Sequence, residues 1–193
     1  MPQELIVRLT ESLRRVPGAP AARDGDPASA AVAAILSPTG DDLELLLIRR
    51  AEREGDPWSG QIALPGGRRS ALDDSLEATA RRETHEEIGW DLSAGGALVG
   101  QLDELRPRTA VLPSIVVTPF VYFSNTRPAL RPNEEVAEVI WAPLRMLGAP
   151  ELQGEREVNV RGATWRVPSY LVSGHVVWGL TERIVRQLLE RAR

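Results

Sequence analysis

The chain has 193 residues, of which 42% are hydrophobic and 26% charged, and its formal net charge is −4. This length suits a single domain, and the composition is typical of a globular protein rather than a disordered one. The absence of cysteine excludes disulfides, thiolate catalysis and cysteine-bound metals, so a metal would bind oxygen atoms or one of the two histidines. No basic face indicates nucleic-acid binding and no apolar run approaches the ~20 residues that cross a bilayer. Because the amino terminus also shows no signal-peptide pattern, we expect a cytoplasmic protein.

The first part of the chain predicts a helix and then a β-hairpin. Leucines recur at helical spacing over residues 2–16, within an accessory segment at 1–17, and a linker rich in proline, glycine and alanine covers 18–29. The predicted segments that follow are a strand at 30–36, a turn at 37–42, a strand at 43–50 and a long polar loop at 52–67. Loops of this length inside a domain are usually functional.

A helix over 74–88 is the clearest element in the middle of the chain. Asp73 or Asp74 can cap its start, and Glu77 stands three residues after Asp74, as in a capping box. Gly89 fits the left-handed position that ends many helices. The remaining predicted elements are strands at 97–103, 115–123 and 136–141, a hairpin of 157–160 and 163–167 turning at Arg161-Gly162, and a helix at 175–192. This mixed order favours one α+β or α/β domain over residues 1–193.

Three carboxylates share one face of the 74–88 helix. At 100° per residue, Glu86 and Glu87 lie on either side of Glu83 within an arc of about 100°. Like charges at this spacing repel each other, and the helix dipole disfavours anions near a C-terminus, so a bound hard cation such as magnesium would reverse the cost. The alternative interpretation is a solvated acidic face.

The context of these carboxylates resembles the signature of the Nudix hydrolase family. Gly66-Gly67 comes before the helix, and the helix carries Arg82-Glu83, then Glu86-Glu87 and finally Gly89. The resemblance implies an α/β/α sandwich with a mixed β-sheet, here with an N-terminal accessory helix and a C-terminal helix. One departure is that six residues separate Gly67 from the acid Asp74, or five if Asp73 is counted as the acid, with Asp in place of Glu. This spacing is similar to that of coenzyme A diphosphatases.

The resemblance also implies roles for the residues of this pattern. Family members bind magnesium or manganese, here Mg²⁺ or Mn²⁺ held by Glu83, Glu86, Glu87 and the carbonyl of Gly66. The family pairs the spaced acid with the helix arginine, which assigns structural roles to Asp74 and Arg82. Glu83 is the first candidate for the base that takes a proton from the attacking water, and Glu134 and Glu135 are alternatives. The expected phosphate contacts, each of which has a solvated surface arginine as its alternative, are Arg49, Arg50, Arg53 and Arg68.

Two segments are similar to coenzyme A diphosphatases in particular. They are the run at 175–181, His-Val-Val-Trp-Gly-Leu-Thr, and the stretch at 46–67. That subgroup carries arginine where this chain has Asp56 and phenylalanine where it has Leu64. The expected reaction cleaves coenzyme A or acyl-CoA into 3′,5′-ADP and 4′-phosphopantetheine. The alternatives are hydrolysis of ADP-ribose, NADH or an oxidised nucleotide, and a non-catalytic nucleotide-binding module. The expected partner is this small nucleotide, with no nucleic acid or membrane, and a homodimer is compatible with the family.

Overall fold

A mixed β-sheet forms the centre of the molecule, with helices on both of its faces. The computed structural model describes residues 2–23, 25–56, 58–107, 114–160 and 162–193. In chain order the elements are α1 (Pro2–Arg15), β1 (Ala28–Thr39), β2 (Asp42–Arg50), β3 (Ile62–Ala63), β4 (Gly66–Arg68), α2 (Leu76–Ile88), α3 (Leu92–Gly95), β5 (Ala97–Gln101), β6 (Ile115–Phe123), β7 (Val136–Pro143), α4 (Leu144–Leu147), β8 (Gln153–Val160), β9 (Ala163–Val172), β10 (His175–Trp178) and α5 (Gly179–Ala192).

The strands of the described residues form two sheets. In the large sheet the order is β3-β2-β1-β6-β5, with β4 also pairing with β1 and β7 also pairing with β2. The β1–β6 pair is parallel, and the other pairs are antiparallel. The small sheet has the order β10-β9-β8.

Successive residues of β1 point to opposite faces of the large sheet, and each face is buried under helices. Ala34 and Leu36 join a core cluster that includes side chains of α1 and α5, whereas Ala33 and Ile35 join a cluster that includes side chains of α2. A strand buried on both faces reads as a continuous apolar run, which is how this strand looks in the sequence. The predicted α+β fold with an α/β/α sandwich is therefore confirmed.

The accessory helix and the linker are held firmly against the rest of the chain. Leu9 and Leu13 of α1 are buried in the same cluster as the core of α5. The linker packs closely against the backbone of Leu102, since a Cβ at Gly18 would lie 2.2 Å from the Leu102 carbonyl oxygen. The strand that follows begins at Ala28, two residues before the predicted boundary.

The structure corrects several predicted boundaries in the second half of the chain. Strand β5 ends at Gln101 rather than at 103, and β7 extends to Pro143 rather than ending at 141. The predicted helix at 175–192 begins only at Gly179, because His175–Trp178 forms a strand paired with β9. Val176, Val177 and Trp178 are β-branched or aromatic, which favours an extended backbone. The predicted hairpin is confirmed but longer, and in its turn Gly162 has a φ of +80° while Arg161 lies outside the described residues.

The predicted loop at 52–67 and the predicted cap of α2 also need correction. Two short strands, β3 and the start of β4, lie inside the loop. The N-cap of α2 is Ser75, whose side chain accepts a hydrogen bond from the Ala78 N–H, rather than Asp73 or Asp74. Gly89 ends α2 with a φ of +71°, as predicted. Among the described residues, no helix is long and apolar enough to cross a membrane.

Candidate active site

The two glycines before α2 lie in a narrow space between β1 and the helix. Gly66 has a φ of +150°, and a Cβ there would lie 2.3 Å from the carbonyl oxygen of Ala31. A Cβ at Gly67 would lie 2.5 Å from the carboxyl carbon of Glu83. Only glycine allows the backbone to pass so close to both neighbours, and this packing brings the loop into direct contact with the acidic face of α2.

The three glutamates of α2 differ in their exposure to solvent. The side chain of Glu87 is 3% exposed and that of Glu83 is 16% exposed, whereas that of Glu86 is 52% exposed. The Gly66 N–H donates a hydrogen bond to Glu87 Oε2 at 2.9 Å. A solvated acidic face therefore describes Glu86 alone, because Glu87 is buried and Glu83 is partly buried.

Arg82 is the polar centre that joins α2 to the preceding loop. Its Nη1 donates to Glu83 Oε1 at 2.8 Å and to Glu86 Oε2 at 3.0 Å. Its Nε and Nη2 donate to the two carboxylate oxygens of Asp73 at 2.8 and 3.0 Å. The prediction that Asp74 pairs with Arg82 is wrong, because Asp74 is exposed and the buried Asp73 takes that place.

Asp73 rather than Asp74 pairs with Arg82 because further hydrogen-bond donors surround Asp73. Asp73 Oδ2 also accepts hydrogen bonds from the Ser70 N–H at 2.8 Å and from the Thr79 hydroxyl at 2.9 Å. Donors from the preceding loop and from α2 thus surround the carboxylate. Because the bidentate contact with Arg82 is the largest influence, the pKa of Asp73 lies well below its usual range.

Burial acts in the opposite direction on the glutamates. Burial raises the pKa of Glu87 to about 8, although the Gly66 N–H and the nearby Arg50 act against it. Burial also raises the pKa of Glu83, against the hydrogen bond from Arg82. The negative charge of Glu135 adds to the increase in pKa at both positions. Negative charge at Glu83 and Glu87 therefore costs free energy unless a cation balances it.

Glu83 and Glu87 line a cavity of about 630 Å³. Its charged side includes Glu83, Glu87 and Glu135 together with Arg50 and Arg68. Its apolar side includes a cluster of aliphatic side chains from β1, β6 and α5, namely Ala30, Val32, Ile115, Val117 and Leu180. The cavity thus offers a ligand both a charged surface, which combines carboxylates with guanidinium groups, and an apolar surface.

The structure brings some of the predicted site residues together and separates others. Glu83, Glu87, Gly66, Arg50 and Arg68 line the cavity. Among the described residues that line it, Glu86, Arg49, Arg53 and Glu134 do not occur.

The two predicted arginines that do not line the cavity each pair with a carboxylate. Arg49 Nε contacts Glu138 Oε2 at 3.3 Å, and Glu138 also contacts His175 Nε2 at 3.2 Å. Arg53 Nη1 donates to Glu135 Oε1 at 2.8 Å, so it reaches the site through that carboxylate.

Carboxylate and carbonyl oxygens are the ligands that hard divalent cations prefer, so the chemistry of this donor set fits Mg²⁺ or Mn²⁺. The side chains as placed are held by protein partners: Arg82 binds Glu83 and Glu86, and the Gly66 N–H binds Glu87. In this arrangement, no three acidic or histidine side chains of the described residues converge into a metal-binding group.

Comparison with known proteins decides the family. A model of the NUDIX domain matches residues 27–161. The chain belongs to the Nudix family. The match covers both the acidic helix and the glycine loop, and Nudix hydrolases generally need divalent metal ions. The expected enzyme class, a Nudix pyrophosphohydrolase acting on nucleoside diphosphate derivatives, is confirmed at the level of this family.

Several known proteins are similar to this chain over most of its length. The mitochondrial coenzyme A diphosphatase NUDT8 of Homo sapiens is 35% identical over 92% of this chain and 75% of its own length. The Nudix hydrolase NudL of Photorhabdus laumondii is 33% identical over 77% of each chain. An uncharacterized protein of Schizosaccharomyces pombe is 42% identical over 60% of this chain, but the match spans only 36% of that protein. In the fold, a MutT/nudix family protein from Enterococcus faecalis is similar, with a TM-score of 0.58 and 20% identity over 89% of this chain and 64% of that chain.

Proposed function

We propose that this Nudix enzyme hydrolyses the diphosphate bond of coenzyme A or an acyl-CoA and releases 3′,5′-ADP and 4′-phosphopantetheine. The observation that carries the proposal is the position of the α2 carboxylates Glu83 and Glu87 in a cavity that also presents arginine side chains and an aliphatic cluster. Coenzyme A has the matching parts, since its diphosphate lies between a nucleotide and a long pantetheine arm. The relationship to a coenzyme A diphosphatase, at 35% identity, supports the same choice of substrate.

The residues proposed to hold the metal are Glu83, Glu86, Glu87 and the carbonyl of Gly66. A bound Mg²⁺ or Mn²⁺ neutralises charge that develops on phosphorus and lowers the pKa of a bound water. The chain's part is to fix the donors, because the Gly66 N–H orients Glu87 and Arg82 orients Glu83. We assign Arg82 and Asp73 to this positioning.

In the proposed reaction a water oxygen attacks one phosphorus of the diphosphate, and the bridging P–O bond breaks as the leaving phosphate takes its electron pair. A carboxylate accepts the proton of that water, and Glu83 is our choice because it lines the cavity beside the glycine loop. Glu135 is the alternative, since it lines the cavity too, whereas the side chain of Glu134 is 90% exposed.

Arg50 and Arg68 are the proposed contacts for the phosphate oxygens. Both line the charged side of the cavity, and a guanidinium presents several N–H donors to a phosphate in one plane. The aliphatic side chains of β1, β6 and α5 would then lie against the apolar part of the substrate. Burial of that part contributes affinity in proportion to the apolar area removed from water.

A second candidate substrate is a diphosphate that lacks the 3′-phosphate of coenzyme A, such as ADP-ribose or NADH. The observation that favours it is Asp56, a carboxylate on the cavity wall at a position where the coenzyme A diphosphatase pattern has arginine. A negative charge there disfavours an additional phosphate nearby.

A mass-resolved product assay separates these substrates. The purified protein would receive coenzyme A, acetyl-CoA, ADP-ribose, NADH and 8-oxo-dGTP in parallel, each with Mg²⁺ or Mn²⁺. We expect 3′,5′-ADP from the first two, and none from a Glu86→Gln/Glu87→Gln double variant. Cleavage of ADP-ribose or NADH with coenzyme A left intact would overturn the substrate assignment. If no compound is cleaved, a nucleotide-binding module without catalysis would replace the enzyme.

A further inference from the structure

Arg50 lies between two carboxylates on the charged side of the cavity. Its Nη2 donates to Asp56 Oδ2 at 2.8 Å, whereas its Nη1 is 3.9 Å from Glu87 Oε1, beyond hydrogen-bond distance. Asp56 is itself fixed, because Oδ1 accepts the Trp58 N–H at 3.0 Å. The guanidinium is therefore hydrogen-bonded to Asp56 and forms only a long ion pair with Glu87.

A second observation shows that the position of Arg50 is set by its terminal nitrogens. Its Nε is buried and has no hydrogen-bond partner among the described residues. A buried N–H without an acceptor is unfavourable, so the contact of Nη2 with Asp56 has to offset this cost. Asp56 carries its negative charge here: burial opposes this, but the hydrogen bonds from Arg50 and from the Trp58 backbone hold the pKa of Asp56 below its usual value.

We propose that Asp56 is a positioning residue that prevents Arg50 from forming a hydrogen bond with Glu87. Held by Asp56, the guanidinium faces the diphosphate and leaves Glu87 Oε1 open to a divalent cation. The inference rests on the proposed function, in which Glu87 is a metal ligand and Arg50 a phosphate contact. Without the charge of Asp56, the nearest carboxylate for Arg50 is Glu87, and their long ion pair would close to a hydrogen bond that competes with the metal.

The neighbouring residue of β2 offers a matched comparison. Arg49 forms a similar contact with Glu138, at 3.3 Å, on strands β2 and β7. Neither of these two residues is among the described residues that line the cavity. Removing the charge of Glu138 therefore alters an arginine–carboxylate pair next to the site without freeing an arginine inside it.

The first test compares Asp56→Asn with Glu138→Gln. Asparagine keeps an oxygen for the Trp58 N–H but loses the negative charge that holds Arg50. Titration calorimetry of the purified protein with Mn²⁺ alone should show a dissociation constant about tenfold higher for Asp56→Asn, in the range seen when the partner of a metal ligand is removed. Glu138→Gln should bind Mn²⁺ like the wild type. Equal Mn²⁺ affinity in Asp56→Asn and the wild type would overturn the proposal.

The second test is rescue by removal of the arginine. Arg50→Gln should bind Mn²⁺ at least as tightly as the wild type while its KM for the cleaved substrate rises. Arg50→Gln/Asp56→Asn should regain the Mn²⁺ affinity that Asp56→Asn loses, because no guanidinium is left to occupy Glu87. A purely structural role of Asp56 predicts no rescue, so a double variant as weak as Asp56→Asn contradicts the inference.

These readouts also separate the inference from the proposed function. The Mn²⁺ titrations need no substrate, so they decide the role of Asp56 whichever compound the enzyme cleaves. Failure of the wild type to cleave coenzyme A would overturn the substrate while leaving the rescue result in force. Thermal unfolding of each variant checks the fold, and if Asp56→Asn does not fold, weakened Mn²⁺ binding in Arg50→Gln alone would still overturn the proposal.

Discussion

Helices α2 and α5 are of nearly equal length and lie on opposite faces of the large sheet, yet they are held in different ways. Apolar side chains dominate the buried face of α5, which includes Ile184, Val185 and Leu188. Three of the five buried residues of α2 are polar, namely Thr79, Thr84 and Glu87, and Arg82 of the same helix forms a network of charged hydrogen bonds with Asp73. Hydrocarbon packing is the main source of stability, so α5 stabilises the fold while α2 positions functional groups.

This contrast predicts that the largest loss of activity results from removing a charge from α2. Glu83→Gln should lower kcat by about 10²- to 10⁴-fold, the usual contribution of a group that moves a proton in the transition state. The free energy of unfolding should change little, because glutamine can still accept a hydrogen bond from Arg82. Steady-state kinetics beside a denaturant titration would test both statements, and a variant that loses stability but keeps its kcat would reverse the assigned roles.

A truncation in α5 should show the opposite pattern. Leu188→Ala removes a fully buried side chain and should lower the free energy of unfolding by about 2–5 kcal/mol. Leu189→Ala is the matched control, since that side chain is only partly buried and should cost less. Per folded molecule, kcat should match the wild type in both. A tenfold fall in kcat for folded Leu188→Ala would show that α5 also shapes the chemistry.

The neighbouring acids before α2 test the polar network. Asp73→Asn should cost about 1–3 kcal/mol of unfolding free energy at pH 7, because Asp73 accepts charged hydrogen bonds from Arg82, whereas the exposed Asp74→Asn should cost almost nothing. The folded pKa of Asp73 is lowered, so its contribution is complete above the unfolded value near 3.9 and is lost as pH falls below it. The difference between the two variants should therefore shrink below pH 4, and an equal loss from both at pH 7 would contradict the network.

The smallest effect is expected at the rim of the site. If Glu83 takes the proton, Glu135→Gln should lower kcat/KM by no more than about tenfold, as for a residue that supports a site from outside. Glu134→Gln, at the exposed neighbouring position, should match the wild type. Should Glu135→Gln lose as much kcat as Glu83→Gln, the base would have to be reassigned to Glu135.

The sequence predicted the elements whose signal is local. Strand β6 has the predicted bounds because a continuous apolar run marks it, and Gly89 ends α2 because that turn needs a left-handed backbone. The sequence did not predict strand β4, because Gly66-Gly67 has little strand propensity and pairs with β1 only through tertiary contact.

The partners of the charged residues were harder to predict. The spacing of the sequence did not decide whether Asp73 or Asp74 pairs with Arg82. The hydrogen bonds that Asp73 accepts from Ser70 and Thr79 favour Asp73, and they are visible only in the structure. The contact of Asp56 with Arg50 joins a loop to a strand end, and no periodicity of the sequence encodes it. Periodic patterns show which residues share a face of a helix or strand. The pairing of charged side chains depends instead on the path that each loop takes through the folded protein.

Mn²⁺-dependent stabilisation of the wild type and of Glu87→Gln tests most directly that the buried polar face of α2 serves a metal. A ligand at 100 times its dissociation constant adds about 2.7 kcal/mol of stability, so Mn²⁺ should raise the Tm of the wild type by several degrees. Glu87→Gln, which keeps an acceptor for the Gly66 N–H, should have an equal or higher Tm without metal and a much smaller rise with Mn²⁺. The same Mn²⁺-induced rise in both proteins would contradict the account.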